Sequence, residues 1–100
     1  MTPSVHPESS QQALRLAVSG DAAALESVAR SWRGRIRRWA FFELGDSGLA
    51  DDAAQDTLVN MIRFIHQYDP ERPFGPWLRT ITRNCCRKVH GHQVRHTHVE

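Results

Sequence analysis

The chain has 100 residues, which is enough for one small domain with a single hydrophobic core and too few for two independent cores. Its 13 basic and 11 acidic residues nearly cancel, so its partners must be inferred from how the charges are distributed along the chain. No segment reaches the roughly 20 apolar residues of a membrane span, and the polar N-terminus lacks a signal peptide, so we expect a cytoplasmic protein that does not contact a membrane.

The first predicted elements are an arm and a short helix. Residues 1–8 are expected to form a flexible N-terminal arm. Ser9 or Ser10 can then cap a helix that runs to about Ser19, because a serine hydroxyl accepts hydrogen bonds from the free amides of a first turn. Gly20 is expected to end this helix.

The second predicted helix begins after Asp21, which can cap it, and runs to about Leu44. Apolar residues recur along it at spacings of three and four, which is typical of a helix with one buried face. They are Leu25, Val28, Ala29, Trp32, Ile36, Trp39 and Ala40. Four arginines fall largely off this stripe and give the helix a basic flank: Arg30, Arg33, Arg37 and Arg38.

The third predicted helix is acidic on its exposed side. It starts near Leu49 or Ala50 and ends by Gln67, and we expect its buried stripe to consist of Ala54, Leu58, Met61, Ile62 and Ile65. Carboxylates and amides lie away from that stripe, namely Asp52, Gln55, Asp56 and Asn60. A face of this kind favours a basic protein partner.

A loop from Tyr68 to Pro73 is expected to lead into a fourth helix, with Pro76 in its first turn. This helix should run to about His90 or Gly91, and residues 92–100 should form a tail. We expect Leu78, Ile81, Cys85 and Val89 to face inward.

The fourth helix carries cations and polar residues on its outer side: Arg79, Thr80, Arg83, Asn84, Arg87 and Lys88. Cations in such a stripe contact phosphates and make binding salt-dependent, while threonine and asparagine can reach base edges. Three aromatic residues, Tyr68, Phe74 and Trp77, stand near its start. We expect them to supply stacking faces for unpaired bases, at about 1 to 3 kcal/mol per base. Aromatic residues at a helix entry commonly close the core, which is the alternative for Phe74 and Trp77, and Trp77 is expected to be at least half buried in either case.

Two segments resemble a known family. LRLAVSGDAAALESVARSW and LADDAAQDTLVNMIRFIHQYDPERPFGPWLRTITRN are similar to region 2 of bacterial sigma-70 family factors, most of all those of the extracytoplasmic-function group. The resemblance covers residues 12–91, and its most specific pieces are Asp52–Thr57 and Tyr68–Leu78. It implies an all-α fold, a compact bundle of about four helices formed by residues 9–91.

The resemblance also implies a function in transcription initiation. The third helix would dock on the clamp of the largest subunit of core RNA polymerase, with Gln55 and Asp56 at the centre of the contact. Residues 68–88 would recognise and melt the non-template strand of the −10 promoter element. An anti-sigma factor is a further implied partner, and no cofactor is expected. An enzyme is not expected either, because the chain has no glycine-rich phosphate loop, Gly-x-Ser-x-Gly or His-Glu-x-x-His motif.

The sequence departs from the family pattern at three points. Lys88 stands where the group often has aspartate, Gly75 and Pro76 replace the commoner Arg-Ala, and the Cys85-Cys86 pair is atypical. The base preference at −10 is therefore open. The chain also ends before a second, −35-reading domain, which fits either a piece of a longer factor or a natural single-domain protein.

Other classes of protein remain as alternatives. Six potential metal ligands crowd the C-terminal segment, at Cys85, Cys86, His90, His92, His96 and His98, but their spacing is poor for zinc and we assign no metal residue. Adjacent cysteines on a helix point about 100° apart, so a disulfide framework is not expected. A helix-turn-helix regulator would bind a duplex operator as a dimer, and an interaction domain would mask the polymerase. A sigma-type domain would instead prefer the exposed non-template strand and bind the polymerase clamp.

Overall fold

A computed structural model describes the backbone of residues 10–98 and the side chains of residues 10–92, so the predicted arm at residues 1–8 lies outside the described part. The regular structure within it is helical: α1 (Gln11–Val18), α2 (Ala22–Leu44), α3 (Ser47–Phe64), a 3-10 turn (Ile65–Gln67) and α4 (Phe74–His98). The predicted all-α bundle of four helices is confirmed. In the stretch that the structure describes, no helix combines the length and the apolar character needed to cross a bilayer.

Local capping signals set most of the helix ends. The side chains of Ser10 and Asp21 accept hydrogen bonds from first-turn amides of α1 and α2, as predicted. Gly45 ends α2 with a positive φ of 68°, a conformation that glycine adopts without steric cost. Asp46 then caps α3, which therefore begins at Ser47, slightly earlier than the sequence indicated.

The longest continuous core lies around α2. Its buried residues form a row at the spacing predicted, namely Val28, Trp32, Ile36 and Ala40. Trp32 belongs to a cluster to which every helix and the loop after α3 contribute. A second cluster is built mainly from small residues, Ala40, Ala50, Ala53 and Cys86, and joins α2, α3 and α4. These small side chains let the three helices pack closely at the end of the bundle opposite to the loop.

The buried stripe of α3 differs in part from the predicted one. Ile62 is half exposed, so its assignment to the core is wrong, and Leu58 is only partly buried. Their place is taken by Ala53 and Thr57, both fully buried. Thr57 is tolerated there because its hydroxyl donates a 2.7 Å hydrogen bond to the carbonyl of Ala53, which leaves no unsatisfied polar group.

Helix α4 buries Leu78 and Cys85 as predicted, and also Thr82 and Cys86. The helix continues to His98, about two turns beyond the predicted end, so residues 92–98 are helical in backbone. Gly91 lies inside the helix, where glycine costs roughly 1 kcal/mol relative to alanine.

Candidate functional site

The acidic face of α3 is open to solvent at three of its four predicted positions. Asp52, Gln55 and Asp56 are exposed. Asn60 is only partly exposed, and its side-chain amide donates to the Sγ of Cys85 at 3.3 Å. Asn60 therefore joins α3 to α4, and it does not extend the open acidic face. The neighbouring Asp51 turns away and pairs with Arg37 of α2 at 2.6 Å.

The open face forms one wall of a groove of about 810 Å³ between α3 and α4. Arg87 and Lys88 of α4 line the same groove. Its acidic wall comes from the first half of α3 and its basic wall from the second half of α4, because the two helices run antiparallel. Sequence reasoning had placed these two sets of side chains on separate surfaces, one for protein and one for nucleic acid.

Two other cations of α4, Arg79 and Arg83, lie along its contact with α2. The guanidinium carbon of Arg79 is 5.5 Å from the ring centroid of Trp39, within cation–π range. The Nε of Arg83 is 3.8 Å from a carboxylate oxygen of Glu43, with both side chains about half exposed. The cationic stripe predicted along α4 is therefore divided between the α2 contact and the α3 groove.

Thr80 and Asn84 lie on the outside of α4 and are exposed. The Thr80 hydroxyl donates to the carbonyl of Pro76 at 3.1 Å, one turn earlier, so its oxygen stays open as an acceptor. Both side chains are therefore accessible from the outer side of α4.

The aromatic residues at the start of α4 are more buried than a stacking role requires. Tyr68 and Phe74 are each 4% exposed, and their rings meet edge to face with centroids 5.2 Å apart. Neither ring offers a face to solvent, so the expectation of open stacking faces fails for both. Trp77 packs against the two rings and is partly buried, as predicted. It is the aromatic residue of the three with an accessible edge.

Hydrogen bonding fixes the loop after the 3-10 turn. The Tyr68 hydroxyl donates to the carbonyl oxygen of Arg72, and an Asp69 carboxylate oxygen accepts from the amide of Glu71 at 2.9 Å. Burial raises the pKa of Tyr68 above its usual value, and the carboxylates of Asp69 and Glu71 raise this pKa further. The phenol therefore stays protonated and keeps donating.

The first turn of α4 packs directly on the indole of Trp32. A Cβ added at Gly75 would lie 3.4 Å from Cη2 of that ring, which is ordinary van der Waals contact. The guanidinium of Arg35 covers the indole at 4.6 Å from the ring centroid. An alanine would therefore fit at this position, and the packing of α2 against α4 does not explain why glycine stands there.

The adjacent cysteines are core residues. Cys85 and Cys86 are both buried, and burial raises the pKa of Cys86 to about 11, with smaller contributions from Glu43 and Cys85. A thiol with this pKa is a poor thiolate ligand at neutral pH. Among the side chains described, no group of three or more potential ligands comes together; His96 and His98 lie outside them.

Comparison with known proteins decides the family. A model of the sigma-70 region 2 family matches residues 28–95. The chain belongs to this family. Sigma-70 region 2 domains are not enzymes, as the sequence predicted. The chain is also 32% identical over 70 residues to the RNA polymerase sigma factor CarQ of Myxococcus xanthus; the alignment covers 70% of this chain and about 40% of CarQ. No solved structure matches the chain.

All of the predicted site residues of this region 2 domain lie within the matched segment. Two further residues contact them and were missed by the sequence analysis, Trp39 beneath Arg79 and Glu43 beside Arg83. Trp39 had been assigned to the core stripe of α2, and Glu43 carried no signal. Both lie about 40 positions before their partners, so only the packing of α2 against α4 reveals the contacts.

Proposed function

We propose that this region 2 domain acts in transcription initiation by docking on core RNA polymerase through α3 while α4 and the preceding loop hold promoter DNA at the −10 element. The observation that carries the proposal is the arrangement of two unlike surfaces on one small core. An acidic face of α3 and the exposed cations Arg79 and Arg83 of α4 are carried by the same core, within the segment that matches the family.

Docking through α3 is supported by the state of its exposed residues. The carboxylates of Asp52 and Asp56 have no ion-pair partner within residues 10–92, unlike Asp51, which is held by Arg37. A basic partner can therefore bind them without first breaking an internal ion pair. Helix α3 itself is held by buried residues on its opposite side, so the face is present before the partner arrives.

Binding of the promoter strand is supported by the surface that Trp77 and Thr80 share. They line one side of a hollow of about 500 Å³, and the loop after α3 lines the other. A base lifted out of the duplex could enter this hollow beside the accessible edge of Trp77, while Arg79 and Arg83 contact the phosphates. Melting in this scheme needs no covalent chemistry, because the binding of the unpaired base offsets the cost of unstacking.

The name of CarQ supports the same reading, since that protein is an RNA polymerase sigma factor and aligns with 70% of this chain. Because the alignment covers only about 40% of CarQ, the proposal concerns the functions that a region 2 domain can supply. An anti-sigma factor would compete for the same face of α3.

The test is a pull-down of purified core RNA polymerase by the wild-type chain and by the double variant Gln55→Ala, Asp56→Ala. The matched control is Gln12→Ala, Glu26→Ala, which removes the same kinds of group from exposed positions on α1 and α2. We expect the control to bind like wild type and the α3 variant to bind at least about tenfold more weakly, since hydrogen bonds to charged groups contribute roughly 1.5–3 kcal/mol each. Circular dichroism checks that each variant is folded.

Two outcomes would contradict the proposal. If the folded wild-type chain does not retain polymerase, the docking function is wrong. If the α3 variant binds as well as the control does, the polymerase is bound by another surface.

A further inference from the structure

The groove between α3 and α4 has walls of opposite charge. Asp52 and Asp56 stand on one side, and Arg87 and Lys88 stand on the other. Within residues 10–92, no ion pair or hydrogen bond connects either carboxylate to either cation. The walls therefore face each other across open space, and each still has charge to offer a partner.

A nucleic-acid strand is a poor occupant of such a groove. Its phosphates would approach Arg87 and Lys88 only by lying close to two carboxylates, and like charges at short range repel by about 1 to 4 kcal/mol at 4 Å in water or near a protein surface. Arg79 and Arg83 do not line this groove and lie instead at the contact between α2 and α4. Arg87 and Lys88 therefore face carboxylates across the groove, whereas Arg79 and Arg83 lie outside it.

A protein segment that carries both charges fits the groove. Basic side chains could meet the α3 wall and acidic ones the α4 wall, while Leu49 and Val89, which also line the groove, supply apolar contact. Complementary charges of this kind fix the register of a docked segment and exclude partners with the charges reversed.

We propose that the α3–α4 groove is a two-sided docking site for core RNA polymerase, in which Lys88 and Arg87 bind acidic side chains of the polymerase and do not bind DNA. The inference rests on the proposed docking function and adds to it a second, basic wall. Because Lys88 stands where the group often has aspartate, the basic wall is proposed for this chain and not for the whole group.

The experiment compares charge reversals on two ligands. Lys88→Glu and Arg83→Glu are measured beside Arg33→Glu, which makes the same charge change at an exposed site on α2 outside the groove. Affinity for core RNA polymerase and for a fluorescent single-stranded DNA oligonucleotide is determined for each variant at one salt concentration. We expect Lys88→Glu to weaken polymerase binding about tenfold or more, with DNA binding equal to that of the Arg33→Glu control. Arg83→Glu should show the reverse pattern.

The inference is overturned if Lys88→Glu binds polymerase like the Arg33→Glu control while losing affinity for DNA. In that case the Gln55/Asp56 variant still reports on docking by α3, so the proposed function stands without the basic wall. If the wild-type chain itself does not bind polymerase, the proposed function and this inference fail together. Lys88→Gln, which removes the charge without reversing it, should give a smaller loss in the same direction and guards against a folding defect in Lys88→Glu.

Discussion

The contact between Glu43 and Arg83 predicts that a substitution on α2 strengthens DNA binding. Arg83 Nε lies 3.8 Å from the Glu43 carboxylate, beyond hydrogen-bond range, and the two side chains are 50% and 45% exposed. Such half-exposed ion pairs contribute about 0.2–1 kcal/mol. When Arg83 turns to a phosphate, this attraction is lost and the carboxylate stays nearby. Glu43→Gln keeps the shape and removes the charge, so it should raise DNA affinity by roughly 1.4- to 5-fold.

Fluorescence anisotropy with a labelled single-stranded oligonucleotide measures the effect. The gain should be largest at low ionic strength and should shrink as added salt shortens the screening length below about 10 Å. In the Arg83→Ala background the gain should fall, because only direct repulsion between Glu43 and the phosphate remains to be relieved. Glu26→Gln is the control, since its carboxylate pairs with Arg30 at 2.8 Å on α2 and its loss changes net charge equally.

Two results would refute this reasoning. Equal gains from Glu43→Gln in the wild-type and Arg83→Ala backgrounds would show that Glu43 does not act through Arg83. Equal gains from Glu43→Gln and from Glu26→Gln would show that net charge alone is responsible.

The remaining predictions concern stability and thiol chemistry. Gly34 lies inside α2, where an added Cβ would meet only the tip of Arg38 at 3.8 Å, so Gly34→Ala should raise the free energy of unfolding by about 1 kcal/mol in a urea titration. Gly45→Ala should lower the free energy of unfolding by roughly 1–2 kcal/mol, because the φ of 68° at this position is strained for alanine. If both substitutions changed the free energy of unfolding in the same direction, the different roles given to the two glycines would be wrong. Because the pKa of Cys86 is raised to about 11, this thiol should react slowly with iodoacetamide at pH 8 until urea unfolds the chain. Rapid labelling of Cys86 in the native protein, assigned by peptide mass spectrometry, would contradict the burial of this thiol. Because the pKa is higher in the folded state, the contribution of the protonated Cys86 thiol to the free energy of unfolding should be present below pH 9 and be lost as pH rises towards 11, which urea titrations at several pH values measure.

The helices could be predicted from sequence because their signals are local. The caps at Ser10 and Asp21 and the stop at Gly45 act within a few residues of each helix end. Burial within α3 was harder, since Ile62 looks like a core residue and Thr57 does not. Packing of α2 and α4 against the small residues of α3 decides which of the two is buried, and helical periodicity does not contain that information.

In the candidate site, too, local features could be predicted from sequence and features set by helix packing could not. The exposure of Gln55 and Asp56 followed from their spacing along α3, and their role in docking stays a prediction. Tyr68 and Phe74 were expected to offer stacking faces, with closure of the core as the alternative for Phe74. Both rings are buried, and their burial holds the loop on the core. The position of Lys88 across from the acidic wall depends on the antiparallel pairing of α3 and α4, which no residue spacing specifies.

The contacts of α1 bear on where the physical domain begins. The family match starts at Val28, but Leu14 of α1 lies in the same core cluster as Trp32. Helix α1 also holds the loop from outside, through a 3.1 Å hydrogen bond from the Gln11 amide to the carbonyl of Pro70 and a 2.6 Å ion pair between Arg15 and Glu71. A fragment trimmed to the matched segment would lose that cover and expose the aromatic cluster. The unit that folds is therefore longer than the unit recognised by similarity, and dissection of this protein should keep the chain from Ser10 onward.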